Sequence, residues 1–193
     1  MIGVNLGKVD AAGNYARPKA GGYVIRMTSV TNNAPNERLD IEFDFYEGEF
    51  KGYYKDLQER RGFWAGKFNK SYKEKARPFF KGFLDSVIKS NSDTSGLIIG
   101  DYEDVDETKL VGLTVGMVVG EKEYIGNDGL KKVKLDTYNA TFIPADDIRS
   151  GSYEVPEMVL LEGASQPGGV VDTTNVVDTT ANFGPVNDDD IPF

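Results

Sequence analysis

Between Leu39 and Tyr46 the chain alternates without a break, with Leu39, Ile41, Phe43 and Phe45 on one parity and Asp40, Glu42, Asp44 and Tyr46 on the other. A period of two puts the first set on one side of an extended strand and the second on the other. The segment therefore demands a sheet with one face against a core and one in water. Tyr23–Val30 is rich in β-formers, and Asn32–Asn36, carrying Pro35, supplies the turn between these two strands. Phe50–Lys55 alternates again after Glu47-Gly48-Glu49 and is expected as a third strand, with Lys51, Tyr53 and Lys55 on one face.

A helix is expected next. Ala76, Phe79, Phe80, Phe83, Leu84, Val87 and Ile88 recur at spacings of three and four, which makes all three phenylalanines candidates for a core stripe. Ser71 and Glu74 have the spacing of a capping box, and Pro78 either kinks the helix or opens its main part. Val111, Leu113, Val115, Met117 and Val119 then share a strand face, with Gly112, Thr114 and Gly116 opposite, small enough for a bulge or a close backbone approach. Asn127-Asp128-Gly129 turns the chain, and Lys132–Phe142 is expected to return as one long strand. Three strands, a helix and a two-stranded hairpin is the chain order of the five-stranded OB-fold barrel, whose faces and loops bind oligonucleotides. The expected fold class is thus mainly β, with one helix between strands 3 and 4; an SH3-like barrel or another α+β sandwich shares the same local signals.

The chain of 193 residues has no cysteine and no histidine. That excludes disulfides, thiolate or imidazole metal sites, a cysteine nucleophile and His-dependent triads. No cofactor and no metal is implied. Met1–Gly22 contains no signal-like apolar run, and the longest apolar run, Leu110–Val119, is about half a membrane span. A soluble, cytoplasmic protein with no membrane partner is expected.

A net charge of −9 argues against a nucleic-acid partner until its distribution is considered. Phe50–Phe83 holds ten Lys/Arg against three acids, and ten of the 22 aromatic residues. Acids collect elsewhere, and charges beyond a Debye length of roughly 8–10 Å are largely screened. Within this window Arg60, Arg61, Phe63, Trp64, Lys67, Phe68, Lys70, Tyr72, Lys73 and Lys75 interleave cations with rings at spacings that match neither strand nor helix. Single-stranded nucleic acid requires these components: cations to follow phosphates and flat side chains for unstacked bases. The same rings can equally pack under the helix, leaving the lysines as a solvated rim. Lys51, Tyr53 and Lys55 form a smaller version of the constellation. Tyr124, Lys131, Lys132 and Lys134 form another around the last hairpin, the place of an OB barrel's ligand-gripping loop.

Other patterns fail on inspection. Gly62–Lys67 is one residue short of a P-loop and is followed by Phe68 where Ser or Thr must stand. Asp101, Glu103, Asp104, Asp106 and Glu107 lack an EF-hand's turn glycine and are expected as a solvated acidic loop.

After Glu162 the texture changes. Gly163–Phe193 has no Lys or Arg, repeats VVDTT twice and ends in Asp188-Asp189-Asp190-Ile191-Pro192-Phe193. The composition is that of a disordered tail behind a folded domain spanning 1–162. The last six residues resemble the acidic tip that closes bacterial single-stranded DNA-binding proteins. In topology, size and tail the whole chain resembles the divergent OB-type proteins of this class that phages and prophages encode. The resemblance implies a non-enzymatic protein that coats and protects single-stranded DNA in replication, recombination and repair. It also implies a docking tip in which Phe193 enters a partner's apolar pocket while Asp188, Asp189 and Asp190 meet basic residues. A homo-oligomer is compatible with this reading. Two alternatives stand beside it: a Mg²⁺-dependent nuclease using Asp101–Glu107 or Asp146-Asp147, and a protein–protein adaptor without nucleic-acid binding.

Overall fold

The computed structural model describes residues 16–161, so the tail and its tip lie outside the described residues. β1 (Gly21–Asn33) is followed by a 3₁₀ turn at Ala34–Asn36 and by β2 (Arg38–Phe45). The two pair antiparallel from Ile25↔Phe45 to Asn33↔Arg38, with a register shift between Met27 and Ser29. Such a bulge adds a residue to one strand and bends it, and β1 needs that bend because its first half also pairs with β6 (Thr114–Val119). With β3 (Lys67–Ser71) and β9 (Thr141–Ile143) the sheet has the order β3-β2-β1-β6-β9, all antiparallel, and curls into a half-barrel. The apolar set behaves as its parity requires, while Asp44 on the other parity is buried as well. Leu39, Ile41, Phe43 and Phe45 are buried with Ile25, Met27, Val115, Met117 and Val119.

Two edges of the half-barrel meet through side chains. The Phe68 ring of β3 lies 4.7 Å from that of Phe142 in β9, and the Thr137 hydroxyl donates to the Lys67 carbonyl at 2.7 Å. Helix α2 (Arg77–Ser90) packs against β6, β9 and β3 through Phe83, Leu84 and Val87. Its C-terminal Asn91 side chain donates to the Thr114 carbonyl (2.7 Å) and accepts from the Thr114 amide (3.0 Å), doing for the end of β6 what a neighbouring strand would. The short helix α3 (Ala145–Ser150) covers the outer face of β1 and β6. A side chain at Gly116 would meet Ile148 and the Ile143 carbonyl within 2.8 Å, which explains the glycine at that position.

Five sequence expectations change. The strand expected from Val111 begins only at Thr114, with Val111 exposed in the turn before it and Leu113 outside the strand. Phe50–Lys55 is not a strand, because α1 (Tyr53–Arg61) begins inside it. The buried Asp44 carboxylate accepts the Tyr54 amide at 2.9 Å and the Lys55 amide at 3.1 Å, capping the helix from another element. Tyr54 then stacks on Phe45 with ring centroids 5.3 Å apart. The third strand is instead Lys67–Ser71, inside the aromatic–basic segment. Gly66 makes that path possible, since a Cβ there would lie 2.3 Å from the Phe43 carbonyl.

The Ser71–Glu74 pair does not cap α2. Glu74–Ala76 forms a separate 3₁₀ turn, and Pro78 sits in the first turn of α2, where a missing amide costs no helical hydrogen bond. Of the expected core stripe, Phe83 is buried and Phe80 is half-buried, but Phe79 is 77% exposed.

The expected long final strand is divided. β7 (Glu121–Ile125) and β8 (Lys131–Leu135) form a hairpin outside the main sheet, closed by the Asn127-Asp128-Gly129 turn, and a 3₁₀ turn at Thr137–Asn139 separates β8 from β9. The segment around Val159 runs parallel to β7, with the Val159 amide donating to the Glu121 carbonyl and the Glu123 amide to the Val159 carbonyl, both at 2.9 Å. Two further strands, β4 (Ile98–Ile99) and β5 (Asp104–Val105), make a small hairpin after α2. No described helix is long and apolar enough to cross a membrane.

Candidate nucleic-acid interface

β3 is the spine of the candidate site, and its pleat sorts the sequence candidates. Pairing with β2 aligns Phe68 with Ile41 and Lys70 with Leu39, whereas Lys67, Asn69 and Ser71 align with Glu42, Asp40 and Arg38 on the polar face. Phe68 is therefore a core residue, only 2% exposed and packed against Phe43, Phe83 and Phe142. It is withdrawn from the set of base-stacking candidates. Lys70 also turns inward, its Nζ 4.1 Å from the centre of the Phe142 ring and 5.6 Å from that of Phe83. Burial pushes its ammonium down to about 8. Lys67 stays on the polar face, 3.1 Å from Glu42.

The start of β3 is where two distant stretches of chain converge. Phe63 and Trp64 occupy the loop entering the strand. The Phe63 ring is 53% exposed, while Trp64 is half-buried with its Nε1–H donating to the Gly66 carbonyl at 3.0 Å. From the other side comes the base of the β7–β8 hairpin, where the Asp136 amide bonds the Gly120 carbonyl and Thr137 bonds Lys67. Tyr138, beside that contact, is 58% exposed.

Hairpin register separates its lysines. Tyr124 faces Lys132 and Lys122 faces Lys134, so these four share one surface. Lys134 lies 5.0 Å from the Tyr124 ring centre and forms no ion pair among the described residues. Lys122 is held by Asp136 at 2.8 Å and Lys132 by Asp128 at 2.6 Å. Burial works against the ionised form of Asp136, yet hydrogen bonds from Asn139 and Lys122 keep its carboxyl below the usual range. Lys131 belongs to the opposite surface with Ile125, bound to Glu123 at 2.9 Å; that bond and the Leu161 amide hold the Glu123 carboxyl below its ordinary value.

The far end of β3 lies about 13 Å away, at 3.3 Å per residue. Here Tyr72 is anchored to the β1–β2 turn, its amide donating to the Glu37 carbonyl (2.9 Å) and its hydroxyl to Asn32 Oδ1 (2.8 Å). Lys73 and Lys75 follow, both exposed.

The remaining candidates sit on or before α1. Lys51, Tyr53 and Lys55 do not form a strand face. Tyr53 packs half-buried against Phe50 and Tyr54, Lys51 lies 5.6 Å from the Tyr46 ring centre, and Lys55 is exposed on the helix. Arg60 and Arg61 occupy its last turn, Arg60 Nε donating to the Asp56 carbonyl at 3.1 Å.

Sequence reading passes over two residues that the fold places beside these candidates. Lys122 was legible from its spacing of two with Tyr124. Tyr138 is concealed because its 3₁₀ turn falls in the middle of the expected strand Lys132–Phe142. Among the described residues no three acidic side chains gather where they would hold a metal ion, and Asp146 is engaged by Arg149 at 2.6 Å. Compared with known proteins, the chain matches no family model and no curated protein.

Proposed function

We propose that the chain is a single-stranded DNA-binding protein whose half-barrel is of the OB type. The order β3-β2-β1-β6-β9, with α2 between the third and fourth strands, supports the OB assignment. The β7–β8 hairpin then occupies the connection between the fourth and fifth strands, from which OB proteins grip oligonucleotides. The observation that carries the reading is the junction at Lys67: the Thr137 bond joins the Phe63–Trp64 loop to the base of a hairpin bearing Lys122, Tyr124, Lys132 and Lys134 on one surface. Phosphates would follow Lys67, Lys134 and the cations of α1, while bases stack on Phe63, Trp64, Tyr124 and Tyr138. Backbone neutralisation and stacking carry little base-edge readout, so weak sequence preference is expected.

The test is titration of Trp64, the only tryptophan, with oligo-dT and with duplex of the same length. Quenching by the single strand at far lower concentration supports the reading, whereas no response and no retention of labelled oligo-dT would sink it. The tip Asp188–Phe193 would recruit replication, recombination and repair proteins, Phe193 anchoring while the acids steer encounter. Phe193→Ala keeps every acid and is expected to lose capture of such proteins from a bacterial lysate.

A further inference from the structure

The first half of α2 and the β4–β5 hairpin enclose a cleft of about 930 Å³, within the range typical of ligand sites. Leu39 and Leu84 form its floor, and Tyr72, Pro78, Phe80, Tyr102 and Val105 its walls. One wall is fixed in place. The Tyr102 hydroxyl bonds Asp85, and Lys81 Nζ lies 4.0 Å from the Tyr102 ring centre and 3.0 Å from Asp85. Tyr102 has φ of 61°, a left-handed conformation that costs energy for a residue with a side chain, and these contacts hold it there.

Charge around the cleft is one-sided. Glu74, Glu103, Asp104 and Glu107 line it, and none forms an ion pair among the described residues. Of the two cations beside them, Lys81 is paired with Asp85, whereas Arg77 donates only to the neutral Tyr72 carbonyl at 3.4 Å and keeps its charge, so the lining stays net negative. Four carboxylates without an ion-pair partner, around an apolar floor and aromatic walls, repel phosphate and attract a cation that carries an apolar anchor. We propose that this cleft docks a basic peptide segment of a partner protein, seating one apolar side chain among Tyr72, Phe80 and Tyr102 and setting its lysines or arginines against Glu74, Glu103, Asp104 and Glu107. The proposal does not rest on the single-stranded DNA reading.

The test uses the full chain and a fluorescein-labelled Lys-Arg-Leu-Phe-Lys-Arg peptide, followed by anisotropy. Binding is expected to weaken with salt and to fall by about tenfold or more when Leu-Phe becomes Ser-Ser. A comparable loss is expected in the combined variant Glu103→Gln, Asp104→Asn, Glu107→Gln. These are surface positions outside the core, so the variant should keep its thermal midpoint. The proposal is overturned if millimolar peptide does not bind, or if the Ser-Ser peptide or the charge-neutralised variant binds as tightly as the originals. Displacement of the peptide by oligo-dT also overturns it, because the cleft would then belong to the nucleic-acid path.

Discussion

The Thr137 hydroxyl reaches across 70 residues of sequence to the Lys67 carbonyl, 2.7 Å away, and joins two edges of the half-barrel that no strand ladder closes. Thr137 is only 8% exposed while Lys67 is exposed, so the bond is partly shielded from water. Thr137→Val would leave that carbonyl without its partner, at a cost of about 1–3 kcal/mol. For a chain of this size that lowers the thermal midpoint by about 2–4 °C per kcal/mol. Calorimetry of Thr137→Val and Thr137→Ser checks it, with serine expected to recover most of the loss. Equal midpoints for valine and wild type would show that the bond contributes nothing.

The two aromatic positions flanking the start of β3 should separate cleanly. Phe63→Ala removes an exposed ring and should change stability by no more than about 0.5 kcal/mol, while weakening oligo-dT binding by roughly 1–3 kcal/mol if one base stacks there. Phe68→Ala opens a cavity in the core and should cost about 3–5 kcal/mol of stability. Chemical denaturation beside oligonucleotide titration distinguishes them; loss of affinity from Phe68→Ala but not from Phe63→Ala, with both folded, contradicts the assignment.

On the hairpin, lysines three residues apart should behave differently because the pleat puts them on opposite faces. Lys134→Ala is expected to reduce the slope of log affinity against log salt by about 0.7, the value for one phosphate on a single strand. Lys131→Ala, on the surface of Ile125 and paired with Glu123, should leave the slope unchanged. Identical slopes for the two variants would remove the register argument.

Lys70 makes stability depend on pH. Burial holds its folded pKa at about 8, whereas an unfolded lysine titrates near about 10.4. Between those values the unfolded chain binds more protons, so Lys70's contribution makes stability rise with pH across that window. Below pH 8 the ammonium is charged in both states and its desolvation cost is fully present. Lys70→Met should therefore raise the urea midpoint at pH 7 and flatten the increase between pH 8 and 10, without changing the salt slope of DNA binding. An unchanged pH profile in the variant would show that another group titrates there.

Period-two alternation in Leu39–Phe45 and in Val115, Met117 and Val119 was enough to locate both strands, because side-chain parity in a strand is a local property; it did not show that Val111 and Leu113 lie before β6 or that Asp44 and both faces of β6 are buried. Composition alone likewise concentrated cations and rings in Phe50–Phe83. Tertiary contacts decided the rest. Asp44 caps α1 from β2, turning an alternating segment into a helix, and β3 takes its inward residues from pairing with Ile41 and Leu39 rather than from any pattern of its own. That pairing buries Phe68, turns Lys70 inward to a half-buried position and leaves Phe63 exposed, although all three belong to one aromatic–basic run. Nothing within the run distinguishes them, since burial depends on which neighbours the fold brings to each face. The meeting of Lys67 with Thr137 is decided in the same way, by the closure of a curled sheet over 70 residues of chain.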